Sequence, residues 1–149
     1  MLGETSPQMT DTTDTVVLSF PRATKYYGVA RLVVGGMAAP LQMSYDALDD
    51  LQLAISSLLD RADLALHGEA ADVQLHLEVS DARLVAKVGG FATGDAQRAL
   101  DSGASTDTTG ESGLGLRRLL DTIVDDVIVD AHDSGGEWVT LVKNVKASA

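Results

Sequence analysis

Cysteine is absent from this sequence of 149 residues, and histidine is scarce. The lack of cysteine excludes disulfide bridges, thiolate zinc sites and thiol nucleophiles. The three histidines, His67, His76 and His132, are scattered, and none has a second histidine at the spacing of metal ligands on a helix. We therefore do not expect a metal site built from histidine or cysteine side chains.

Basic residues are also in short supply, with 11 Lys and Arg against 22 Asp and Glu, for a formal net charge of −11 at pH 7. A surface of this charge repels phosphate backbones and gains nothing from the release of counterions. Direct binding to DNA or RNA is therefore not expected. Docking onto a basic protein is compatible with the charge.

Long hydrophobic runs are missing as well. The longest uncharged run, residues 32–45, is shorter than the roughly 20 residues that a membrane-spanning helix needs. Residues 1–14 are rich in Thr, Asp and Ser and have neither the basic nor the apolar region of a secretory signal. We expect a flexible tail over residues 1–14, a single domain over residues 15–146, no membrane association and a cytoplasmic location.

Apolar residues at three- and four-residue spacing predict two helices in the first half of the chain. The first helix spans residues 25–39 and ends before Pro40, and its predicted inward face holds Tyr26, Val29, Ala30, Val33, Val34 and Met37. The second spans residues 44–66, with Ser44 as its N-cap. Its continuous stripe consists of Leu48, Leu51, Ala54, Ile55, Leu58, Leu59 and Ala62.

Alternating residues predict the strands. Residues 15–21 form an edge strand that ends at Pro21, and residues 73–89 form a hairpin. A glycine-rich, lid-like loop follows over residues 90–113, with one short helical piece at 95–101. A third helix at 115–126 and strands at 127–133 and 137–145 complete the order β-α-α-β-β-loop-α-β-β. Trp138 is expected to pack on the sheet.

This order, with the G-L-G-L stretch at 113–116 opening the third helix, resembles the ATPase domain shared by histidine kinases, gyrase and MutL. It is similar in particular to the bacterial anti-sigma factor serine kinases, over residues 16–145, and the segment FPRATKYYGVARLVVGGMAAPLQMSYDALDDLQLAISSLL carries the likeness in the first half. The resemblance implies an α+β two-layer sandwich with the histidine kinase-like ATPase fold. In that fold a mixed, mainly antiparallel sheet is covered on one face by about three helices.

In that family, the second helix presents a glutamate as general base and, four residues later, an asparagine that binds Mg²⁺. The resemblance places Ser57 at the glutamate position and Arg61 at the asparagine position. A serine hydroxyl is a poor base, and a guanidinium has only donors and repels a metal ion. A one-residue slip would place Ser56 and Asp60 there, with Asp60 as a metal ligand by type, but would rotate Leu58 and Leu59 out of the apolar stripe.

The family's D-x-G-x-G motif, whose aspartate binds adenine, falls on KVGGFATGD. Gly90 and Gly94 are retained, but the aspartate position is Gly89 or Gly90.

The last family motif is intact at Gly113, Gly115 and Leu116. A glycine-punctuated helix N-terminus can bind phosphate, and Arg117 could add a contact. The candidate nucleotide-binding residues are Gly90, Gly94, Gly113, Gly115, Leu116 and Arg117. No cofactor is firmly expected, and ATP with Mg²⁺ is expected only if this site is retained.

We therefore predict a regulatory protein of the anti-sigma type that lacks catalytic activity. The resemblance implies a sigma factor or a STAS-domain anti-anti-sigma protein as partner, with a homodimer as a further option. Tyr26, Tyr27 and Arg31 on the first helix are the candidate partner-binding residues. Two alternatives stay open: an ATP-dependent serine kinase that phosphorylates the STAS partner, in which Asp60 or Glu111 replaces a missing group, and a nucleotide-binding switch without turnover.

Overall fold

The computed structural model describes residues 13–61, 64–68, 72–80, 82–102, 115–131 and 136–145. The strands are β1 (Asp14–Pro21), β2 (Asp72–Ser80), β3 (Arg83–Phe91), β4 (Asp126–Ala131) and β5 (Glu137–Asn144). The helices are α1 (Tyr27–Ala38), α2 (Tyr45–Leu59), α3 (Asp95–Ser102) and α4 (Leu116–Ile123). Short 3₁₀ turns lie at Thr24–Tyr26 and Ala39–Leu41.

The five strands form one sheet in the order β1-β2-β3-β5-β4, and every pair in it is antiparallel. The strand register explains why one face of the sheet is apolar, because it aligns one apolar residue from each strand in a row. One such row is Leu18, Leu75, Val88, Val139 and Val129. The helices cover this face, and their inward residues join these strand residues in a single core. The α+β sandwich and the edge position of the first strand are thus confirmed.

The second helix forms where its capping residue and its apolar stripe predict it. The Ser44 side chain accepts a hydrogen bond from the backbone N–H of Ala47 at 3.1 Å, which satisfies one of the free donors of the first turn. Leu51, Ala54 and Leu58 are fully buried against the sheet. The cap and the stripe together fix where α2 starts and which face it turns inward.

Two predicted details are corrected by the structure. The second helix ends at Leu59 rather than at residue 66. Val29 does not face the core: α1 buries Ala30, Val34 and Ala38 instead and leaves Val29 48% exposed. The helical piece predicted at residues 95–101 is confirmed as α3, which packs into the core.

Among the residues that the structure describes, no helix is both long and apolar enough to cross a membrane.

Candidate functional site

The end of α2 decides whether positions 57 and 61 can act together. Ser57 lies in the last turn of the helix and is half-buried, whereas Arg61 lies two residues beyond the helix end. The Arg61 amide donates to the carbonyl of Leu58, three residues back, at 3.3 Å, so the regular α-helical turn that would place both side chains on one helical face does not continue to position 61. Asp60 is the C-cap residue and is exposed to solvent.

The guanidinium of Arg22, which follows β1, holds the chain after α2 in place. Its Nε donates a hydrogen bond to the Leu59 carbonyl at 3.1 Å, and its two terminal nitrogens donate to the carbonyls of Leu64 and Arg61. The same guanidinium lies over the Phe91 ring, 5.9 Å from its centroid. The last turn of a helix leaves carbonyls without partners, and Arg22 satisfies one of them while fixing the segment beyond. We call this arrangement the Arg22 clamp.

The alternative register, with Ser56 and Asp60 in the functional positions, also fails to assemble a site. Ser56 lines the narrow space between α1 and α2, and its hydroxyl donates to the Gln52 carbonyl at 3.0 Å. Successive residues point about 100° apart on a helix, so Ser57 is directed away from that space. Over the described residues, no group of three or more His, Asp or Glu side chains could hold a metal ion. Within the described ranges, neither register brings together the oxygen ligands that Mg²⁺ prefers.

The glycines after the hairpin have different surroundings. A Cβ at Gly89 would lie 2.2 Å from Cδ2 of Trp138, because the indole packs directly on the glycine. No side chain, and so no aspartate, fits there without moving Trp138. Gly90 and Gly94 both have a φ of +90° and open space where a Cβ would lie, so their conformation favours glycine.

The prediction that Trp138 packs on the sheet agrees with the structure. Trp138 is 8% exposed, and its ring meets His76 edge-on at a centroid distance of 4.7 Å.

The chain that follows α2 forms hydrogen bonds with the end of β3 through residues 65 and 67. The His67 amide donates to the Gly90 carbonyl at 2.6 Å, and the Ala92 amide donates to the Ala65 carbonyl at 2.8 Å. Phe91, between these two pairs, is fully buried. The place where the family's adenine-binding motif falls is thus packed against the chain that follows α2.

The N-terminus of α3 is bound to a carboxylate that the sequence analysis did not single out. Glu137 Oε1 accepts hydrogen bonds from the amides of Ala96 at 2.9 Å and Gln97 at 3.2 Å. Asp95 holds the same turn from the other side, since its Oδ2 accepts from the Ala65 amide at 3.1 Å. Neither contact has a local sequence signal, because the partners are 30 or more residues apart.

The glycine-rich motif is only partly described. Gly113 and Glu111 lie outside the described residues, while Gly115 is the N-cap of α4 and has no side chain to accept a hydrogen bond. Leu116 is buried in the core. Arg117 approaches Asp121, one helical turn away, with Nη1 4.0 Å from Oδ1. The side chain of Arg117 thus has a partner within its own helix.

The candidate partner-binding residues at α1 are not equally accessible. Tyr26 and Tyr27 are both half-buried, and the Tyr27 hydroxyl donates to the Leu59 carbonyl at 3.0 Å. Burial and, to a smaller extent, the charge of Asp60 raise the pKa of Tyr27 above its usual value of 10.0, against the opposing charge of Arg22. Arg31 is exposed. Tyr27 therefore has a structural contact that ties α1 to the end of α2.

The solvent face of α1 carries apolar side chains that the sequence analysis did not identify as a surface. Leu32 is 77% exposed, and Val29 lies nearby on the same outward side. A Cβ at Gly28 or Gly36 would meet nothing within 4 Å. The helix thus presents an open apolar strip of four residues, which we call the α1 strip: Gly28, Val29, Leu32 and Gly36.

Comparison with known proteins shows which family the chain resembles. The chain is 31% identical over 145 residues to the serine-protein kinase RsbW of Bacillus subtilis (strain 168), covering 91% of this chain and 88% of the relative. It is 31% identical over 147 residues to serine-protein kinase RsbW of Bacillus pumilus (strain SAFR-032), with the same coverage. It is 33% identical over 131 residues to serine-protein kinase RsbW of Bacillus licheniformis, covering 82% of this chain and 81% of the relative. No protein-family model matches the chain.

The chain therefore belongs to the RsbW family of bacterial anti-sigma factor serine-protein kinases, within the GHKL superfamily of ATPases. The resemblance inferred from the motifs is confirmed.

Proposed function

We propose that this protein is an anti-sigma-type regulator that binds a sigma factor, a STAS-domain anti-anti-sigma protein, or both, by direct contact and without transferring phosphate. The single observation that carries the proposal is the end of α2, where Ser57 takes the base position and Arg61 lies beyond the helix. The proposal takes residues 15–146 as one domain that acts in the cytoplasm.

Phosphoryl transfer by this fold depends on positioning and on neutralising phosphate charge with a metal ion. A serine hydroxyl cannot accept a proton at neutral pH as a carboxylate can, and a guanidinium cannot bind a cation. The Arg22 clamp adds a geometric obstacle, because it fixes the backbone of residue 61 outside the helix. Chemistry and geometry both favour a role in binding over a role in catalysis.

Isothermal titration with ATP and ADP, with and without Mg²⁺, tests the proposal, with Trp138 fluorescence as a second signal. We expect no heat of binding with millimolar nucleotide. Magnesium-dependent binding in the micromolar range would contradict the proposal and favour a nucleotide switch or a kinase.

A double variant that carries the family's side chains at positions 57 and 61 provides a sharper test. Ser57→Glu with Arg61→Asn returns the family's two side-chain types, and Ser56→Glu with Asp60→Asn is a matched control one residue earlier. We expect neither double variant to bind Mg·ATP while the Arg22 clamp holds the backbone of residue 61. Recovery of binding in the first variant alone would mean that only the two side chains had been lost.

The partner surface is proposed to centre on the α1 strip together with Arg31. Exposed apolar side chains beside small residues allow close approach of a partner, and buried anchors dominate binding energy. In a pull-down followed by titration with a sigma factor or a STAS-domain protein from the same genome, we expect Leu32→Asp to weaken binding by about tenfold or more. Leu53→Asp, at a half-exposed leucine on α2, is the control. Equal binding by both variants would place the interface elsewhere.

The second candidate function is a serine kinase that acts on the STAS-domain partner. It is favoured by the similarity to proteins named serine-protein kinase and by the glycine at the start of α4. ATP with Mg²⁺ would then be the cofactor, and Asp60 or Glu111 would supply the missing acid. Transfer of labelled phosphate to a STAS protein, abolished by Asp60→Asn or Glu111→Gln, would establish this function.

A further inference from the structure

Glu137 is a buried carboxylate whose hydrogen-bond partners are the first amides of a helix. It opens β5, is 7% exposed, and accepts from the N–H groups of Ala96 and Gln97. Within the described part of the chain, no Lys or Arg side chain forms an ion pair with it. An ionised carboxylate in such a position is stabilised by the donors and the positive dipole end at the helix N-terminus.

The first turn of α3 needs this acceptor. A helix leaves its first four N–H groups without internal partners, and an anion or a capping side chain normally satisfies them. The acidic residue that begins α3, Asp95, is engaged elsewhere, with the Ala65 amide and the Arg98 guanidinium. The acceptor therefore comes from a strand 41 residues further along the chain.

Helix α3 also needs contacts with the rest of the protein in order to form. It has eight residues, which is too short to be stable alone in water. Its buried contacts are modest, since Ala96 and Ala99 are small and Leu100 is the single large apolar residue buried. The Glu137 carboxylate therefore acts together with these apolar residues and the hydrogen bond between Asp95 and Ala65 in holding the helix against the rest of the fold.

We infer that Glu137 is a built-in anion that keeps α3 docked on the protein without a bound ligand. Helix α3 lies within the lid-like loop predicted over residues 90–113, so this part of the loop is held by the chain itself. The inference goes beyond the proposed function, because it applies whether or not a nucleotide binds elsewhere in the domain.

Hydrogen exchange of the α3 amides tests the inference on the full chain without nucleotide. We expect the wild-type amides of α3 to be protected, and Glu137→Ala to speed their exchange by about ten- to a hundredfold, as expected for the loss of hydrogen bonds to a charged acceptor. Glu137→Gln keeps an acceptor oxygen and should have a smaller effect. Glu78→Ala, which removes a half-buried carboxylate paired with Lys87 at 3.0 Å, is the control and should leave α3 unchanged.

Chemical rescue separates the role of the anion from a general loss of stability. Glu137→Ala removes the atoms of one acetate ion, so added sodium acetate should restore protection of α3 in this variant. Sodium chloride at the same ionic strength should not. The Glu137→Gln variant, whose site is still filled, should not respond to acetate.

Several outcomes would overturn the inference. One is a wild-type α3 that is unprotected until Mg·ATP is added, and another is a Glu137→Ala variant with unchanged α3 exchange. A third is loss of protection across the whole sheet in both Glu137 variants with no response to acetate, which would make Glu137 a determinant of folding in general. Nucleotide binding seen by titration, with α3 protected throughout, would contradict the proposed function and leave this inference standing.

Discussion

The Arg22 clamp makes a prediction whose magnitude follows from its contacts. Arg22→Ala removes at once the three hydrogen bonds that the guanidinium donates to the carbonyls of Leu59, Arg61 and Leu64. The Leu59 carbonyl keeps the Tyr27 hydroxyl as a partner, so the loss falls mainly on the other two. The variant also loses the contact between the guanidinium and a neighbouring aromatic ring.

Hydrogen bonds to a charged group contribute about 1.5–3 kcal/mol each, but bonds that share one donor group are not additive. We therefore expect Arg22→Ala to lower the free energy of unfolding by about 2–4 kcal/mol. For a domain of this size that corresponds to a fall in Tm of roughly 5–15 °C. Arg22→Lys should retain part of the stability, since a single ammonium cannot reach three carbonyls in a planar fork.

Urea unfolding followed by circular dichroism measures the effect, and Arg83→Ala is the control because Arg83 is exposed. That control should stay within about 0.5 kcal/mol of wild type. Hydrogen exchange should locate the loss at residues 60–67 and not in the sheet. Equal stability of the Arg22→Ala and Arg83→Ala variants would refute the reasoning.

Other substitutions test other contacts. Gly89→Ala should destabilise by about 1–3 kcal/mol because it must displace Trp138, whereas Gly28→Ala, in open space on a helix, should stabilise by up to about 1 kcal/mol. Ser44→Ala removes the cap of α2 and should cost about 1 kcal/mol. The raised pKa of Tyr27 means that its contribution to stability is complete below pH 10.0, the unfolded value, and is lost as pH rises through the higher folded value. Tyr27→Phe should remove this alkaline dependence.

Each of these predictions has a clear contrary result. Urea denaturation would argue against the tight packing at Gly89 if its alanine variant were as stable as the one at Gly28. A Ser44→Ala variant of wild-type stability would mean that water replaces the cap. An unchanged loss of stability above pH 10 in Tyr27→Phe, measured by alkaline titration, would assign that loss to other groups.

Local patterns predicted most of the fold. The hairpin follows from strict alternation in residues 73–80, and α2 begins where Ser44 precedes an apolar stripe. Period and capping are properties of neighbouring residues, so a single sequence displays them. The family motifs could be placed for the same reason, since each is a short run of residues.

Several features that the sequence did not reveal depend on distant partners. The end of α2 coincides with the contacts of Arg22, which lies 37 residues before the carbonyl of Leu59. The first amides of α3 donate to Glu137, and the space beside Gly89 is occupied by the Trp138 indole. No local pattern encodes these contacts, because they form only when the strands and helices are assembled.

The two outer strands of the sheet have consequences for how the protein behaves in solution. Among the described strands, β1 and β4 each pair on one side only, and such edges invite pairing with another chain. Two exposed aspartates, Asp126 and Asp130, lie on β4, where their negative charges would repel the same strand of a second molecule. Near the sequence pI of about 4.4 the net charge of the whole protein approaches zero, and the general repulsion between molecules falls with it. We expect the protein to self-associate through its edge strands near that pH, and to stay dispersed at neutral pH.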